Sequence, residues 1–579
     1  MRALERSASI ERHPERTLPR LIESVASAHA ARPALIGTDG GYTYQALTEA
    51  MRRYARWALS RGLKAHDVVG LYMENRPEYL ALWLGLTSVG VTVALLNSQL
   101  SGEPLAHSIA SVRPRCVICS AGLAAALLPL RERLAPLPLW VHGAGDSALP
   151  RLDVDALQHS CAPLTDGEGT RATLADRALC IYTSGTTGLP KAANVSHRRL
   201  LQWSQWFAGL MDISPADRMY DCLPLHHSVG GVVAPGAALV CGASVVVRER
   251  FAARSFWSDV RASGCTLFQY IGELCRYLLA SPPVPEEQAH ALRIACGNGL
   301  GGDIWERFQR RFRIPQILEY YAATEGNFSL YNCEGRVGSL GRIPPFLAHR
   351  VPVALARFDP ERAAPLRNAQ GRCERCAIGE PGEALGQILA GQQATQFEGY
   401  TDAAASAQKV LRDVFAPGDA WYRTGDLLRQ DAQGFFYFVD RVGDTYRWKG
   451  ENVSTTEVAA ILAAQPGVEA AAVYGVAVPA QDGRAGMAAL VVGEGFDLAA
   501  FADGVVRELP VYARPVFLRL MPALRRTGTF KLAKQGLADE GFDPQRVTDP
   551  LYVIAAGATR YEVLDAPRQA QLQRGTLRL

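Results

Sequence analysis

The stretch Ile181-Tyr-Thr-Ser-Gly-Thr-Thr-Gly-Leu-Pro-Lys191 gathers hydroxyls, glycines and one lysine after an apolar run. Such a loop suits phosphate: glycine lets backbone N–H groups approach an anion, hydroxyls donate further hydrogen bonds, and lysine adds a point charge. A solvated hairpin turn would account for Gly185, but not for Thr183, Ser184, Thr186, Thr187 and Lys191 together. The loop is not of the Walker A kind, because Pro190 precedes the lysine and Ala192 follows it, where glycine and a hydroxyl residue are required. Lysine is also scarce. Only six of the 61 basic residues are lysine (Lys64, Lys191, Lys409, Lys449, Lys531 and Lys534), and a slim ammonium enters a crowded phosphate site more readily than a planar guanidinium fork.

The elements that position this loop follow from composition and pattern. The chain has 579 residues, 48% of them hydrophobic, and its 61 basic against 57 acidic residues leave a net charge of +4. That balance gives no broad electrostatic drive toward nucleic acid. Twelve scattered cysteines, several inside apolar runs (Cys180, Cys241, Cys296), read as buried reduced thiols of a cytoplasmic protein rather than a disulfide framework. The pairs Cys116/Cys119 and Cys373/Cys376 lie too far apart in sequence to favour a zinc site. Residues 1–32 interleave Arg with Glu5, Glu11 and Glu15 and contain no apolar core, so a signal peptide is not expected. Two uncharged stretches are long enough to mimic membrane spans, Tyr79–Leu100 and Cys222–Val247. The first reads better as a buried helix running to Gly90 and a strand from Val91, and the second is broken by Gly230, Gly231, Pro235, Gly236 and Gly242.

From about 40 to 440, apolar strand-like runs alternate with amphipathic helices, the pattern of a mixed α/β architecture with parallel sheets. After Asp440 a small α+β domain is expected: a helix near 455–464, strands at 468–478 and 487–492, a helix at 498–509 and a strand at 516–521. Ser454-Thr-Thr-Glu457 predicts a capping box at the start of the first of these helices. Glu273 and Arg276, three apart on a probable helix, read as a structural ion pair.

The phosphate loop resembles the signature of the adenylate-forming superfamily, and further motifs agree in order. Leu223-Pro-Leu-His-His-Ser228 is similar to an element that places His227 near the carboxylate and α-phosphate. Tyr320-Tyr-Ala-Ala-Thr-Glu325 resembles the Tyr-Gly-x-Thr-Glu element; the resemblance implies a tyrosine (Tyr320 or Tyr321) on adenine, Thr324 on phosphate and Glu325 on magnesium. Tyr422-Arg-Thr-Gly-Asp426 implies that Asp426 binds the ribose hydroxyls, with Arg441 on the ribose and phosphate side and Lys531 as the catalytic lysine. A narrower likeness, to the fatty acid transport protein and very-long-chain acyl-CoA synthetase family, rests on Gly297-Asn298-Gly299-Leu300 with Phe308-Gln-Arg-Arg-Phe312, on Thr527-Gly-Thr-Phe-Lys531, and above all on Gly443-Asp-Thr-Tyr-Arg-Trp-Lys-Gly-Glu-Asn-Val-Ser-Thr-Thr-Glu-Val458. It implies coenzyme A contacts from Trp448, Lys449 and Gly450, and nucleotide contacts near Gly297, Asn298 and Gly299.

The resemblance implies two parts. Residues 1–440 would be a large multi-subdomain N-terminal domain with mixed sheets that binds ATP and the acyl substrate. Residues 441–579 would be a small mobile C-terminal domain turning near Gly443 to exchange the Lys531 face for the 445–451 face. The implied activity is an ATP- and Mg2+-dependent acid–thiol ligase that converts a long-chain, very-long-chain or bulky lipophilic carboxylic acid to its CoA thioester through an acyl-adenylate. Two alternatives stay open: an adenylate-forming enzyme that performs mainly one half-reaction or loads a carrier protein, and a lipid-uptake protein with secondary ligase activity. A location in the cytoplasm, free or peripherally membrane-associated, is expected, and a homodimer is left open. Two departures from the family pattern, Ala322 in place of glycine and Gly301-Gly302 in place of Arg-Pro, remove no charged group.

Overall fold

Val68–Tyr72 is buried at all five positions and Thr92–Leu95 at all four, as continuous apolar runs are when parallel strands are covered on both faces. The computed structural model describes every residue except 146–147, 169–171, 185–189, 360–361, 393–394, 450, 480, 482 and 525–533, and leaves the side chains of Ser184, Asn452 and Gln535 aside. The described residues cluster into two compact units, one of Met1–Gly338 with Gln396–Lys409, the other of Ser339–Thr395 with Val410–Leu579.

In the first unit, a six-stranded sheet runs in the order Leu139–His142, Cys116–Ser120, Val68–Tyr72, Thr92–Leu95, Arg177–Ser184, Pro190–Ser196. Only the last pair is antiparallel. An eight-stranded sheet holds Leu267–Ile271, Ile294–Asn298 and Gln316–Ala322 in parallel register beside Arg218–Asp221, with antiparallel strands at both ends. One hydrophobic core joins the two sheets through the helices Tyr44–Ser60, Pro77–Ser88, His197–Leu210 and Ala234–Leu239. Pro77–Ser88 is buried from Tyr79 to Thr87, because a helix apolar all round must be covered on every side. The second uncharged stretch forms a π-helical turn, Val229–Val233, then the helix Ala234–Leu239 and the strand Ser244–Val247. No helix among the described residues is long and apolar enough to cross a membrane.

The second unit contains an antiparallel sheet built from Val353–Asp359, Gly382–Gln387, Ala420–Gln430 and Phe435–Arg441. It also contains a five-stranded sheet, Val468–Ala477, Arg484–Val492, Phe517–Leu520, Leu551–Val553, Glu562–Val563, with one parallel pair. The helices Thr455–Ala463 and Leu498–Glu508 pack on that second sheet, close to the bounds expected. The capping arrangement differs: Ser454 Oγ accepts the Glu457 N–H at 3.2 Å as anticipated, but Asp440 accepts the Thr455 N–H at 2.6 Å. A buried carboxylate fifteen residues upstream thus satisfies the first free amide of the helix, a donor that the capping box does not reach. Arg276 likewise pairs with Asp303, at 2.9 and 3.0 Å, on the helix Gly302–Arg311. A Cβ at Gly301 would stand 2.2 Å from Asp303 Oδ1 and 2.9 Å from the Arg276 guanidinium, so the ends of those two side chains would have to shift to admit one.

Candidate active site

In the first unit, Thr183 stands opposite Lys191 across the hairpin of Arg177–Ser184 and Pro190–Ser196, and its hydroxyl donates to the Lys191 carbonyl at 3.5 Å. Gly185, Thr186, Thr187 and the Ser184 side chain lie outside the described residues. His227 lies just before the π-helical turn: its N–H donates to the Pro224 carbonyl at 3.1 Å, and its own carbonyl accepts the Gly231 N–H at 2.7 Å. The His226 and His227 ring centroids are 4.3 Å apart. Burial, then the neighbouring His227, push His226 well below the ordinary imidazole range, so His226 stays neutral. The Ser228 and Thr324 hydroxyls meet at 3.0 Å, which brings the two expected motifs together.

Thr324 and Glu325 are held by residues that sequence reasoning passed over. Arg199, 7% exposed, donates to the Thr324 carbonyl at 3.0 Å and to the Gln396 carbonyl at 3.2 Å, and stands 3.5 Å from Glu398. Tyr400 donates its hydroxyl to Glu325 Oε1 at 2.8 Å. Glu325 is itself buried, and no bond to its Oε2 is found among the described residues. One carboxylate oxygen beside hydroxyl donors is the hard-oxygen environment that suits Mg2+, which is commonly held by one or two carboxylates and the substrate's phosphates.

Of the two candidate adenine tyrosines, Tyr320 is a core residue. Its ring packs edge-on against Phe207 at 4.7 Å, and it is 4% exposed. Side chains alternate along Gln316–Ala322, so Tyr321 points to the other face and is half-buried. It is the better placed of the two to meet a base. Gly297 and Asn298 end the strand Ile294–Asn298, and the turn beyond them is clasped by Glu319. Glu319 accepts the Gly299 N–H at 2.5 Å, the Leu300 N–H at 3.3 Å and the Tyr270 hydroxyl at 2.5 Å.

Burial outweighs these three hydrogen bonds and pushes the Glu319 carboxyl up to about 8 from an ordinary 4.5. An acid pKa raised by folding favours the protonated form in the native state. Its stabilising contribution is therefore complete below about 4.5 and is lost as pH climbs through about 8. Glu319→Gln, neutral at every pH, should escape that loss. Its unfolding free energy relative to wild type, read by urea titration, is expected to rise between about pH 5 and pH 8, by an amount on the order of a few kcal/mol. Parallel pH profiles for the two proteins would refute it.

In the second unit, Asp426 and Arg441 sit opposite one another on paired strands, with Arg441 Nε 3.6 Å from Asp426 Oδ1. Trp448 is 2% exposed and belongs to this unit's hydrophobic core. Lys449 adopts a left-handed φ of 52°, uncommon outside glycine, with its ammonium 5.8 Å from the Trp448 ring centre. Gly450 and Lys531 lie outside the described residues. Lys534 donates to Thr455 Oγ1 at 2.8 Å and pairs with Asp444 at 3.4 Å. Its charge opposes the burial that raises Asp440. A cluster thus forms beside Gly443, whose φ of 94° requires glycine.

A family model described as AMP-binding enzyme matches residues 22–366, and one described as AMP-binding enzyme C-terminal domain matches 457–531. Long-chain fatty acid transport protein 1 of Mus musculus is 41% identical over 573 residues, covering 97% of this chain and 88% of that protein. Medium/long-chain-fatty-acid–CoA ligase FadD6 of Mycobacterium tuberculosis is 38% identical over 524 residues, covering 89% and 84%. Among solved structures, the anthranilate CoA ligase AuaEII in complex with anthranoyl-AMP shares the fold, with a TM-score of 0.77 at 20% identity over 90% of this chain and 97% of that one.

Proposed function

The chain belongs to the AMP-binding enzymes and, within them, to the fatty acid transport protein and very-long-chain acyl-CoA synthetase family, and from that premise we propose that its acid is a long-chain, very-long-chain or similarly bulky lipophilic one. It is an AMP-forming acid–thiol ligase that uses ATP, Mg2+ and coenzyme A. In the first half-reaction a carboxylate oxygen attacks the α-phosphorus of ATP and pyrophosphate leaves. In the second the thiolate of coenzyme A attacks the acyl carbonyl and AMP leaves. The relatives named for fatty acid transport and fatty acid ligation support the choice of acid.

The observation that carries the residue roles is the joining of the two motifs at Ser228 and Thr324, with Glu325 at the next position. Bringing two anions together demands positive charge and fixed donors before bonds change. Lys191 and Thr183 would meet the phosphates, Thr324 would donate to the α-phosphate, and Glu325 would hold Mg2+, which when bound offsets phosphate charge. His227, just before the π-helical turn, would face the acid's carboxylate. Asp426 and Arg441 would take the ribose. Residues 441–579 would turn about Gly443, where a Cβ would meet nothing within 4 Å, to exchange Lys531 for the 445–451 face. Peripheral contact with membrane, as a monomer or a homodimer, would give access to so apolar a substrate, and liposome co-sedimentation tests that part.

Purified protein supplied with ATP, MgCl2, coenzyme A and a graded panel of straight-chain and polycyclic acids should release AMP only when acid and coenzyme A are both present. Acyl-adenylate and acyl-CoA are to be quantified separately. Absence of acyl-CoA with every lipophilic acid would refute the reading, and adenylate without thioester would redirect it to a different acceptor.

A further inference from the structure

Residues 396–409 fall, in chain order, between two stretches of the second unit, yet they belong to the first. The start of this segment extends the edge of Pro190–Ser196, the return strand of the phosphate hairpin. Asn194 N–H donates to the Gly399 carbonyl and Thr401 N–H to the Ala192 carbonyl, both at 2.9 Å, and Ala193 bridges Tyr400 antiparallel between them. Glu398 fastens the same edge by accepting the Ser196 N–H and hydroxyl, each at 2.7 Å. These bonds fix the backbone of Tyr400, whose side chain is 7% exposed and ends 2.8 Å from Glu325 Oε1. The phenol is the donor in that bond, since the carboxylate oxygen accepts.

We propose that Tyr400 is a positioning residue for adenylate formation: its hydroxyl occupies Oε1 of Glu325 so that Oε2 is presented to the divalent cation of Mg·ATP, and it couples that carboxylate to the strand that returns from the phosphate loop. The inference rests on the role assigned above to Glu325. A carboxylate rotated freely would spend part of its time with neither oxygen aimed at the cation, whereas one oxygen held by a charge-assisted hydrogen bond fixes the plane of the other. The signal was absent from local sequence, because Tyr400 reaches Glu325 across 75 residues.

The test compares wild type, Tyr400→Phe and Glu325→Gln by calorimetric titration with ATP, once with MgCl2 and once with a chelator, alongside both half-reactions. Tyr400→Phe should weaken Mg·ATP binding about tenfold or more, the scale of one hydrogen bond to a charged group. It should leave ATP binding in chelator and thioester formation from supplied adenylate unchanged, and saturating MgCl2 should restore most of the lost adenylation rate. Loss that MgCl2 does not restore, equal loss in both half-reactions, or unaltered Mg·ATP binding in a Glu325→Gln-sensitive protein would each overturn the proposal. If Glu325→Gln itself leaves Mg·ATP binding unchanged, the reading of Glu325 fails first. Both substitutions nearly preserve volume, and coincident thermal unfolding profiles confirm that the differences arise at the site.

Discussion

Lys531→Ala is expected to lose adenylate formation by at least ~100-fold while thioester formation from supplied acyl-adenylate stays within about twofold. The asymmetry follows from where charge is needed. Attack of a carboxylate on the α-phosphorus forces negative charge together, and a single preorganised cation there is worth several kcal/mol of barrier. Attack of a thiolate on an acyl carbonyl expels AMP and draws on other donors. Pyrophosphate exchange reads the first step, and coenzyme A thioester formed from synthetic adenylate reads the second. Equal loss of both would remove Lys531 from the role assigned to it.

The second large effect is expected at Arg199. Its guanidinium spans the Thr324 and Gln396 carbonyls and neighbours Glu398, with the side chain 9% exposed. Arg199→Met keeps the volume but takes the donor from the Thr324 and Gln396 carbonyls and leaves the Glu398 carboxylate without its cation. Removing one partner of a buried pair costs about 3–5 kcal/mol, so unfolding of the first unit should shift by that amount and adenylation should fall as Thr324 loses its anchor. Arg199→Lys should recover the charge without the fork that reaches both carbonyls, and so should fall between the two. A methionine variant within about 1 kcal/mol of wild type in urea titration would contradict the assignment, because that is the range of exposed pairs.

Local pattern carried much of this molecule. Val68–Tyr72 and Thr92–Leu95 are readable as buried strands because every position is apolar or small, and Thr455–Ala463 is readable as a helix because Ser454 marks its start. The motif around Thr324 and Glu325 is legible for the same reason, being contiguous. What stayed hidden was set by partners distant in sequence. Nothing in His197-Arg-Arg199 separates Arg198, which pairs with Glu11, from Arg199, which is buried; the helix's rotation decides. Glu319 reads as an ordinary strand residue between Leu318 and Tyr320 until Tyr270 and the Gly299 and Leu300 amides close around it. Trp448 lies within a motif that the family resemblance assigns to coenzyme A, and only the fold shows that its ring is buried in the hydrophobic core of its own unit.

The loan of residues 396–409 to the first unit makes the molecule a pair of discontinuous folding units, each completed by a piece of chain encoded on the far side of the other. No single cut can separate them whole. A fragment ending at Gly338 would leave the outer edge of Pro190–Ser196 with unpaired backbone groups, an invitation to intermolecular strand pairing. It would also strip Arg199 and Glu325 of the Glu398 and Tyr400 contacts that hold them. During synthesis the phosphate hairpin must therefore wait for some two hundred further residues before the segment that covers its edge arrives.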